Sequence, residues 1–334
     1  MLTQKLGPTT EKERHLILDI LRGLALADIA LANFPEFALW TFLSPDEQAM
    51  MPTAEVDKVV RFLQFAFVDG KFYTIFSMLF GIGFSLILAR RSVSLFLRRM
   101  LILACIGFCH LMFIWSGDIL LLYAVGGLLL PLFIKMKDKV LMVIAGLLIF
   151  VPVVLDALTE FVGIDFSGPF YDLWWTQAAK EGITEANFAS WLRDAWSVVE
   201  GHPWGLTVHS LLYAVSVIPM SFSYIAAVCL LFLKRPAWLM PLCQPGRMAL
   251  TCYIMQSVIG AILFYGLGFG LGTTFGLITI ELTAVIVFLF QIAVCKLWLH
   301  YFRFGPLEWI WRMLTYGRYF PISWKAVEPD LLGR

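Results

Sequence analysis

Runs of about 20 predominantly apolar residues recur along the whole chain, and that is the length an α-helix needs to cross the hydrocarbon core of a bilayer. Eight such runs are legible: residues 16–40, 70–90, 98–116, 118–136, 139–157, 206–233, 247–268 and 273–300. Hydrophobic residues make up 60% of the chain and charged ones 15%, spread along its length instead of gathered around one soluble core. The pattern predicts an all-α, polytopic transmembrane helical bundle of about eight spans, a single transmembrane domain over residues 1–334. The first run is long and lacks a small-residue cleavage site, so it reads as a span and not as a cleaved signal peptide.

Charge predicts the orientation. Lys and Arg collect on the cytoplasmic side of membrane proteins. Basic clusters fall at every second boundary: Lys12/Arg14, Arg90/Arg91/Arg98/Arg99, Lys135/Lys137/Lys139, Lys234/Arg235/Arg247, and Arg303/Arg312/Arg318/Lys325. The alternate segments are acidic, with Asp46, Glu47, Glu55 and Asp57 in one and Glu160, Asp165, Asp172, Glu181, Glu185, Asp194 and Glu200 in the other. Both termini are therefore predicted to be cytoplasmic, with residues 42–69 and 158–205 exterior and 303–334 a cytoplasmic tail. The net charge of +1 averages two faces of opposite sign and points to no partner.

Within 42–69, the stretch Ala54–Val68 is helix-like but carries Asp57, Lys58 and Arg61, which suits an interfacial helix. Segment 158–205 holds Trp174, Trp175, Trp191, Trp196 and Trp204, which read as a headgroup-level belt or as an aromatic platform for an acceptor. All six Cys lie in predicted spans or on the cytoplasmic side, so no structural disulfide is expected. Cys105 and Cys109 stand one helical turn apart beside His110, but buried thiols in apolar helices usually pack, and no metal is expected. No dinucleotide, Walker or nucleic-acid motif is legible, and no nucleic-acid partner is expected.

Ionisable groups are costly in hydrocarbon and tend to face an interior or a wet cavity. At 100° per residue, Asp19, Arg22 and Asn33 share one face of the first span, and Asp28 faces the other way. Asp19 and Arg22 can pair; the alternatives are a structural ion pair or an anion site with Arg22 as its cation. Asp69-Gly70-Lys71 opens the second span, either as a solvated, capped helix start or, if Gly70 breaks the helix, as two charges lining one pocket. His110 lies deep in the third span, and Trp115, Gly117 and Asp118 follow in a tight hairpin. Asp118 is placed to orient the imidazole, whose chemistry suits proton transfer near neutral pH. His209, near the start of the sixth span, is the weaker candidate because it is shallower. Glu281, Gln256 and Gln291 read as interhelical polar groups. Arg98, Arg99, Lys234, Arg235 and Arg247 satisfy the topology and could also hold a cytosolic phosphate.

Several of these segments together resemble one family. Leu18-Asp-Ile-Leu-Arg-Gly-Leu-Ala with Asn33, Lys71-Phe-Tyr-Thr-Ile-Phe-Ser-Met-Leu-Phe-Gly-Ile-Gly83, Arg98-Arg99, Gly107-Phe-Cys-His110, Trp115-Ser-Gly-Asp-Ile-Leu, Gly246-Arg-Met-Ala-Leu-Thr-Cys-Tyr253 and Phe304-Gly-Pro-Leu-Glu308-Trp-Ile-Trp-Arg312 resemble the YeiB-like bacterial membrane proteins. That family looks related to the transmembrane acyltransferases, such as heparan-α-glucosaminide acetyltransferase. There a similar Asp-x-x-Arg-Gly…Asn opening is soon followed by the catalytic His. No His lies between Asn33 and Lys71 in this chain, so the resemblance implies that His110 takes that place.

The resemblance implies acyl transfer, from acetyl-CoA or another acyl-CoA to a sugar, lipid or envelope-polymer acceptor, in a bacterial cytoplasmic (inner) membrane. The catalytic set is then His110 as base, Asp118 to orient it, and Asp69 and Lys71 at the acceptor mouth. Arg22, Asn33, Asp19, Arg98, Arg99 and Arg247 would meet the donor. The alternative is a transporter or lipid- or solute-handling protein without catalysis, in which Asp19, Arg22, Asp69 and Lys71 are coupling charges. Membrane lipids are partners in either case, and a homodimer is compatible with both.

Overall fold

The computed structural model describes residues 16–90, 92–164, 205–266 and 268–324; of residues 88–90, 205–210 and 212–216 it describes the backbone alone. Lys12, Arg14, most of segment 158–205 with its Trp cluster, the end of the tail and the His209 side chain lie outside the described residues. Among those described, the structure is helical, with one isolated bridge between Phe302 and Ser323.

The described chain divides into two compact units. The first takes the described residues of Met1–Thr41, Pro52–Ile134 and Ser221–Arg334; the second takes those of Phe42–Met51 and Lys135–Met220.

In the second unit, α2 (Pro45–Ala49) is a single capped turn. Ser44 accepts from the Glu47 amide, and the Glu47 carboxylate takes the Ser44 amide in return, which satisfies the first free donors of the helix. Helix α7 (Asp138–Val162) also lies there and is long and apolar enough to cross a membrane.

The first unit is built around α1 (Leu16–Phe37), which packs against α4, α9, α10 and α11. Helix α3 (Ala54–Phe67) leads into α4 (Lys71–Arg90) through a turn at Gly70, whose φ of +80° suits a residue without a Cβ. Together they form an apolar run of 34 residues, Ala54–Ile87. At 1.5 Å per residue that is roughly 50 Å, well over the roughly 30 Å hydrocarbon core. The run can therefore supply one span and still leave turns outside it, which accommodates the charged half expected at the interface.

Helix α5 (Val93–Phe113) is capped by the Ser92 hydroxyl, which accepts the Leu95 amide. It folds back on α6 (Leu120–Leu129). Here the structure departs from the expected fourth span, 118–136. The α-helix is 10 residues long and passes into a 4-residue 3-10 turn, Leu130–Phe133. Pro131 has no N–H to continue the ladder, and that ends the helix short of a span.

The C-terminal part of α8 (Gly205–Lys234) returns to the first unit and is followed by α9 (Pro236–Arg247) and α10 (Ala249–Phe264). The expected span 247–268 corresponds to α10, which is 16 residues long, and α10 pairs with the preceding α9 across a 79° bend at Met248. Met248 is non-helical, and Pro241 and Pro245 remove two amides from the ladder just before it. Helix α11 (Leu277–Tyr301) is a full-length span, and α12 (Pro306–Tyr316) is a short amphipathic helix started by Pro306. In all, five described helices are long and apolar enough to cross a membrane, six if the bent pair counts as one span. This is a membrane protein, with fewer full-length runs among the described residues than the eight predicted.

The tightest helix crossing is α1 on α9. A Cβ on Gly246 would collide with the Asp19 carbonyl oxygen, and one on Gly23 with the carbonyl of Leu242. Two glycines facing opposite backbones let the helices touch, as small residues do at membrane helix contacts. A buried polar network ties three helices nearby. Gln256 on α10 donates to Gln291 on α11 (3.0 Å) and to the Leu26 carbonyl on α1 (3.2 Å), and Gln291 donates to the Cys252 carbonyl (2.9 Å).

Candidate functional site

A cavity of about 360 Å³ runs through the first unit between α1, α4, α5, α6, α9, α10 and α12. Its polar end carries Asp19 and Arg22 of α1, Arg99 of α5, Arg247 of α9, and Glu308, Arg312 and Tyr316 of α12. Elsewhere the wall is apolar and aromatic, with Phe76, Phe80, Phe84, Phe96, Tyr123 and Tyr253 among its residues. Four guanidinium groups and two carboxylates leave a net positive end on an otherwise greasy chamber.

Each charged group is held by its surroundings. Arg22 pairs with Asp19 at 2.9 Å, the carboxylate nearly closed off and the guanidinium partly exposed, as the i, i+3 spacing predicts. Arg99 stacks on the Trp311 ring, 3.8 Å from its centroid, and the Trp311 indole donates to the Arg99 carbonyl at 3.0 Å. That double contact seats α12 on α5. Glu308 accepts from the Thr251 amide (3.0 Å) and hydroxyl (2.5 Å), which seats α12 on α10. Burial pushes the Glu308 carboxyl above the usual carboxylate range, and the two Thr251 donors pull the other way.

His110 and Asp118 meet at the far end of α5, about two turns past Leu103, the last residue of that helix to line the cavity. The hairpin between α5 and α6 is tight because the amides of Ile114 and Trp115 both bond the His110 carbonyl. Asp118 is thereby carried back over the last turn of α5. Its Oδ1 lies 2.8 Å from His110 Nδ1, and its Oδ2 accepts the Leu121 amide at 2.7 Å. The two side chains are 1% and 0% exposed. Among the described residues, His110 Nε2 is buried with no hydrogen-bond partner. His110 does not line the cavity; Tyr253 does, and its ring lies 5.2 Å from the imidazole.

Of the residues predicted to meet a donor, Asp19, Arg22, Arg99 and Arg247 stand together at the polar end of the cavity. Asn33 does not; it is buried three turns further along α1. Arg98 is exposed, pointing toward Gly317 beyond the end of α12. Of the residues predicted for catalysis, His110 and Asp118 pair as the hairpin suggested. Asp69 and Lys71 are elsewhere: Asp69 bonds Arg61 of α3 at 2.9 Å, and Lys71 Nζ donates to the Phe65 carbonyl at 2.5 Å. Both hold the turn at Gly70, and neither lines the cavity.

Around that turn is a second polar cluster. Asp28, opposite Asp19 on α1, is buried within electrostatic reach of Asp69, Glu281 and Lys71. Among the described residues, both Glu281 carboxylate oxygens are buried without a hydrogen-bond partner. Cys105 and Cys109 face outward while His110 faces in, so these three do not converge. Among the described residues, no group of three or more His, Cys, Asp or Glu side chains is placed to hold a metal ion.

Tyr253, Glu308, Arg312, Trp311, Tyr316 and Tyr123 were not singled out as site residues by sequence reasoning. Arg312 read as one charge of a cytoplasmic tail, and α12 as a soluble end. The available signal was the amphipathic pattern of residues 306–316, which places Glu308, Trp311, Arg312 and Thr315 at i, i+3, i+4 and i+7.

Comparison with known proteins places the chain. Residues 166–318 match a family model described as a protein of unknown function (DUF418). The chain is 33% identical to an uncharacterized 39.9 kDa protein in the amylase 3′ region of Bacillus acidopullulyticus, over 96% of this chain and 99% of that one. It is 28% identical to the uncharacterized protein YxaH of Bacillus subtilis (strain 168), over 96% and 99%, and 25% identical to the uncharacterized protein YeiB of Escherichia coli (strain K12), over 91% and 96%. No solved structure matches. The three relatives match nearly end to end, and on them the chain belongs to the YeiB-like family of bacterial membrane proteins.

Proposed function

We propose that this protein is an acyltransferase of the bacterial cytoplasmic membrane. It would move an acyl group, acetyl in the simplest case, from a cytosolic acyl-CoA to a hydroxyl or amine on an exterior sugar, lipid or envelope polymer. The observation that carries the reading is the cavity: Arg22, Arg99, Arg247 and Arg312 at one end and an apolar chamber beyond. Guanidinium forks complement phosphate oxygens, and an apolar chamber suits a pantetheine arm and its acyl group. The volume, about 360 Å³, falls in the range of small-ligand pockets. It accommodates the arm and leaves the adenosine portion outside, toward the cytoplasm if the basic residues mark that side.

In this reading the ionised Asp118 accepts from Nδ1–H of His110, which leaves the lone pair of the neutral imidazole on Nε2. Nε2 takes the proton of the acceptor hydroxyl or amine as its oxygen or nitrogen bonds the acyl carbon. The acyl C–S bond then breaks, and the imidazolium proton goes to the departing thiolate. The relation to the wider acyltransferase superfamily rests on the Asp19-x-x-Arg22-Gly23…Asn33 opening, and the dyad would stand in for the histidine that the superfamily places soon after that Asn.

The test is binding of acetyl-CoA to the purified protein by titration calorimetry, with Gly83→Trp as the blocking variant. Gly83 lines the cavity, and a Cβ built there meets no atom within 4 Å, so a large side chain enters open space. Wild type should bind, and Gly83→Trp should weaken binding at least about tenfold, or ~1.4 kcal/mol, with an unchanged melting midpoint. Transfer of labelled acetyl to envelope material should vanish in His110→Ala. Absence of binding tighter than about 1 mM, or binding indifferent to Gly83→Trp, overturns the reading.

A second reading, a proton-coupled carrier without catalysis, rests on different residues. Asp28, Asp69, Glu281 and Lys71 lie within electrostatic reach of one another, and the Glu281 carboxylate, buried without a hydrogen-bond partner among the described residues, suits proton exchange. Proton flux in proteoliposomes lost in Glu281→Gln, with no acyl-CoA consumed, would favour it.

A further inference from the structure

Tyr253 lies against both the His110 imidazole and the cavity. Tyr253 lines the cavity and is 3% exposed. Its ring sits 5.2 Å from the imidazole, inclined at 47°. The imidazole itself cannot swing toward the cavity without giving up Asp118, which holds it at 2.8 Å and is in turn fixed by the Leu121 amide. Tyr253 is held more weakly: its hydroxyl accepts the Ile119 amide at 3.3 Å, and among the described residues no hydrogen bond uses its own O–H. His110 Nε2 is buried and makes no hydrogen bond among the described residues, so it is the ring atom left to meet a ligand.

We propose that Tyr253 is the movable wall between the cavity and the dyad, a positioning residue whose side chain must turn aside for a ligand atom to reach His110 Nε2. The inference takes the cavity from the reading above as the ligand's place, but it concerns access to His110 and does not require the ligand to be an acyl-CoA. Tyr253 sits five residues beyond the bend at Met248, on the helix that also bears Thr251, the anchor of α12 through Glu308. A ligand that engages Arg312 on α12 is thus mechanically connected to the helix that carries the wall.

The test uses chemical access and needs no substrate. Diethyl pyrocarbonate acylates the neutral imidazole, and peptide mass spectrometry of the full-length protein in detergent reads His110 separately from exposed His300. Three variants are compared with wild type, each first checked for an unchanged elution profile and melting midpoint. Tyr253→Ala should raise the His110 modification rate about tenfold or more. Tyr253→Phe, which keeps the wall and removes only the hydroxyl, should stay within about twofold of wild type. Gly83→Trp combined with Tyr253→Ala should return the rate to near wild type, because the reagent must pass through the cavity. A partly unfolded Tyr253→Ala would expose His110 whether or not Gly83 is blocked, so the double variant separates the two causes. The proposal is overturned if Tyr253→Ala leaves His110 as slow as wild type, or if the double variant is as fast as the single. Acetyl-CoA binding can fail while these rates behave as stated, and the reverse holds as well, so the two readings fall separately.

Discussion

Removing the Asp118 carboxylate should show what the His110 dyad is worth to the fold. In Asp118→Ala two buried donors lose their acceptors: His110 Nδ1–H, now at 2.8 Å from Oδ1, and the Leu121 amide, at 2.7 Å from Oδ2. With both side chains essentially unexposed, water cannot replace the carboxylate without opening the hairpin. A buried donor left unpaired costs about 1–3 kcal/mol, so the variant should lose roughly 2–6 kcal/mol, more than most single substitutions. Asp118→Asn is the informative partner. Its carboxamide oxygen can still accept the Leu121 amide, and its NH₂ can donate to Nδ1 provided the imidazole proton moves to Nε2. Its cost should stay near 1 kcal/mol, while the tautomer reverses and the lone pair leaves Nε2. Denaturant titration in mild detergent measures the first effect, and ¹⁵N-histidine NMR of the purified protein the second. If Asp118→Ala is within about 0.5 kcal/mol of wild type, the range of ordinary surface changes, the pairing does not stabilise the hairpin and the argument fails. If Asp118→Asn keeps its proton on Nδ1, the carboxylate does not set the tautomer and His110 loses its claim to be a base through Nε2.

Three further outcomes follow from the packing. Gly246→Ala should abolish folded protein in size-exclusion profiles, because its Cβ would meet the Asp19 carbonyl, whereas Gly126→Ala, facing open space, should be tolerated or gain up to about 1 kcal/mol of helix propensity; equal yields would refute the α1–α9 contact. Gln256→Leu and Gln291→Leu should each destabilise by about 1 kcal/mol, with a double variant less harmful than the sum, since their mutual bond is lost only once; strict additivity would count against the network. Burial holds the Glu308 carboxyl above its ordinary value of 4.5. A raised acid contributes stability that is full below that ordinary value and is lost as pH rises through the folded value, so the wild type should lose stability relative to Glu308→Gln as pH climbs from about 4.5. A wild type that instead gains stability relative to Glu308→Gln over that climb would have the opposite sign and refute the burial argument.

Much of the bundle was legible because span length and composition are local. Residues 139–157 and 273–300 became α7 and α11 with ends shifted by a few residues. The misreadings share a cause. Residues 118–136 and 247–268 read as spans by hydropathy, while Pro131 cuts the first helix short and the bend at Met248, just after Pro241 and Pro245, starts the second late. Apolarity reports the solvent around a segment, and the hydrogen-bond ladder decides whether it continues. Part of the site was equally local: Asp19 with Arg22, and His110 with Asp118, lie three and eight residues apart and needed only a helix and a tight turn. Lys71 and Asp69 misled because adjacency in sequence suggested one pocket, and the turn at Gly70 sends each to a different carbonyl or guanidinium on α3.

The sequence by itself determined that the chain lives in a membrane, that its charges sort by segment, and that an imidazole and a carboxylate stand at one hairpin. Those properties follow from residue type and short spacing. Only the tertiary structure decided that Arg22, Arg99, Arg247 and Arg312, drawn from positions nearly 300 residues apart, share one cavity, and that Tyr253 both lines that cavity and packs on His110. Helix crossing sets those meetings, and helix crossing depends on where two backbones can touch. At Gly23 and Gly246 that is settled by side chains that are not there.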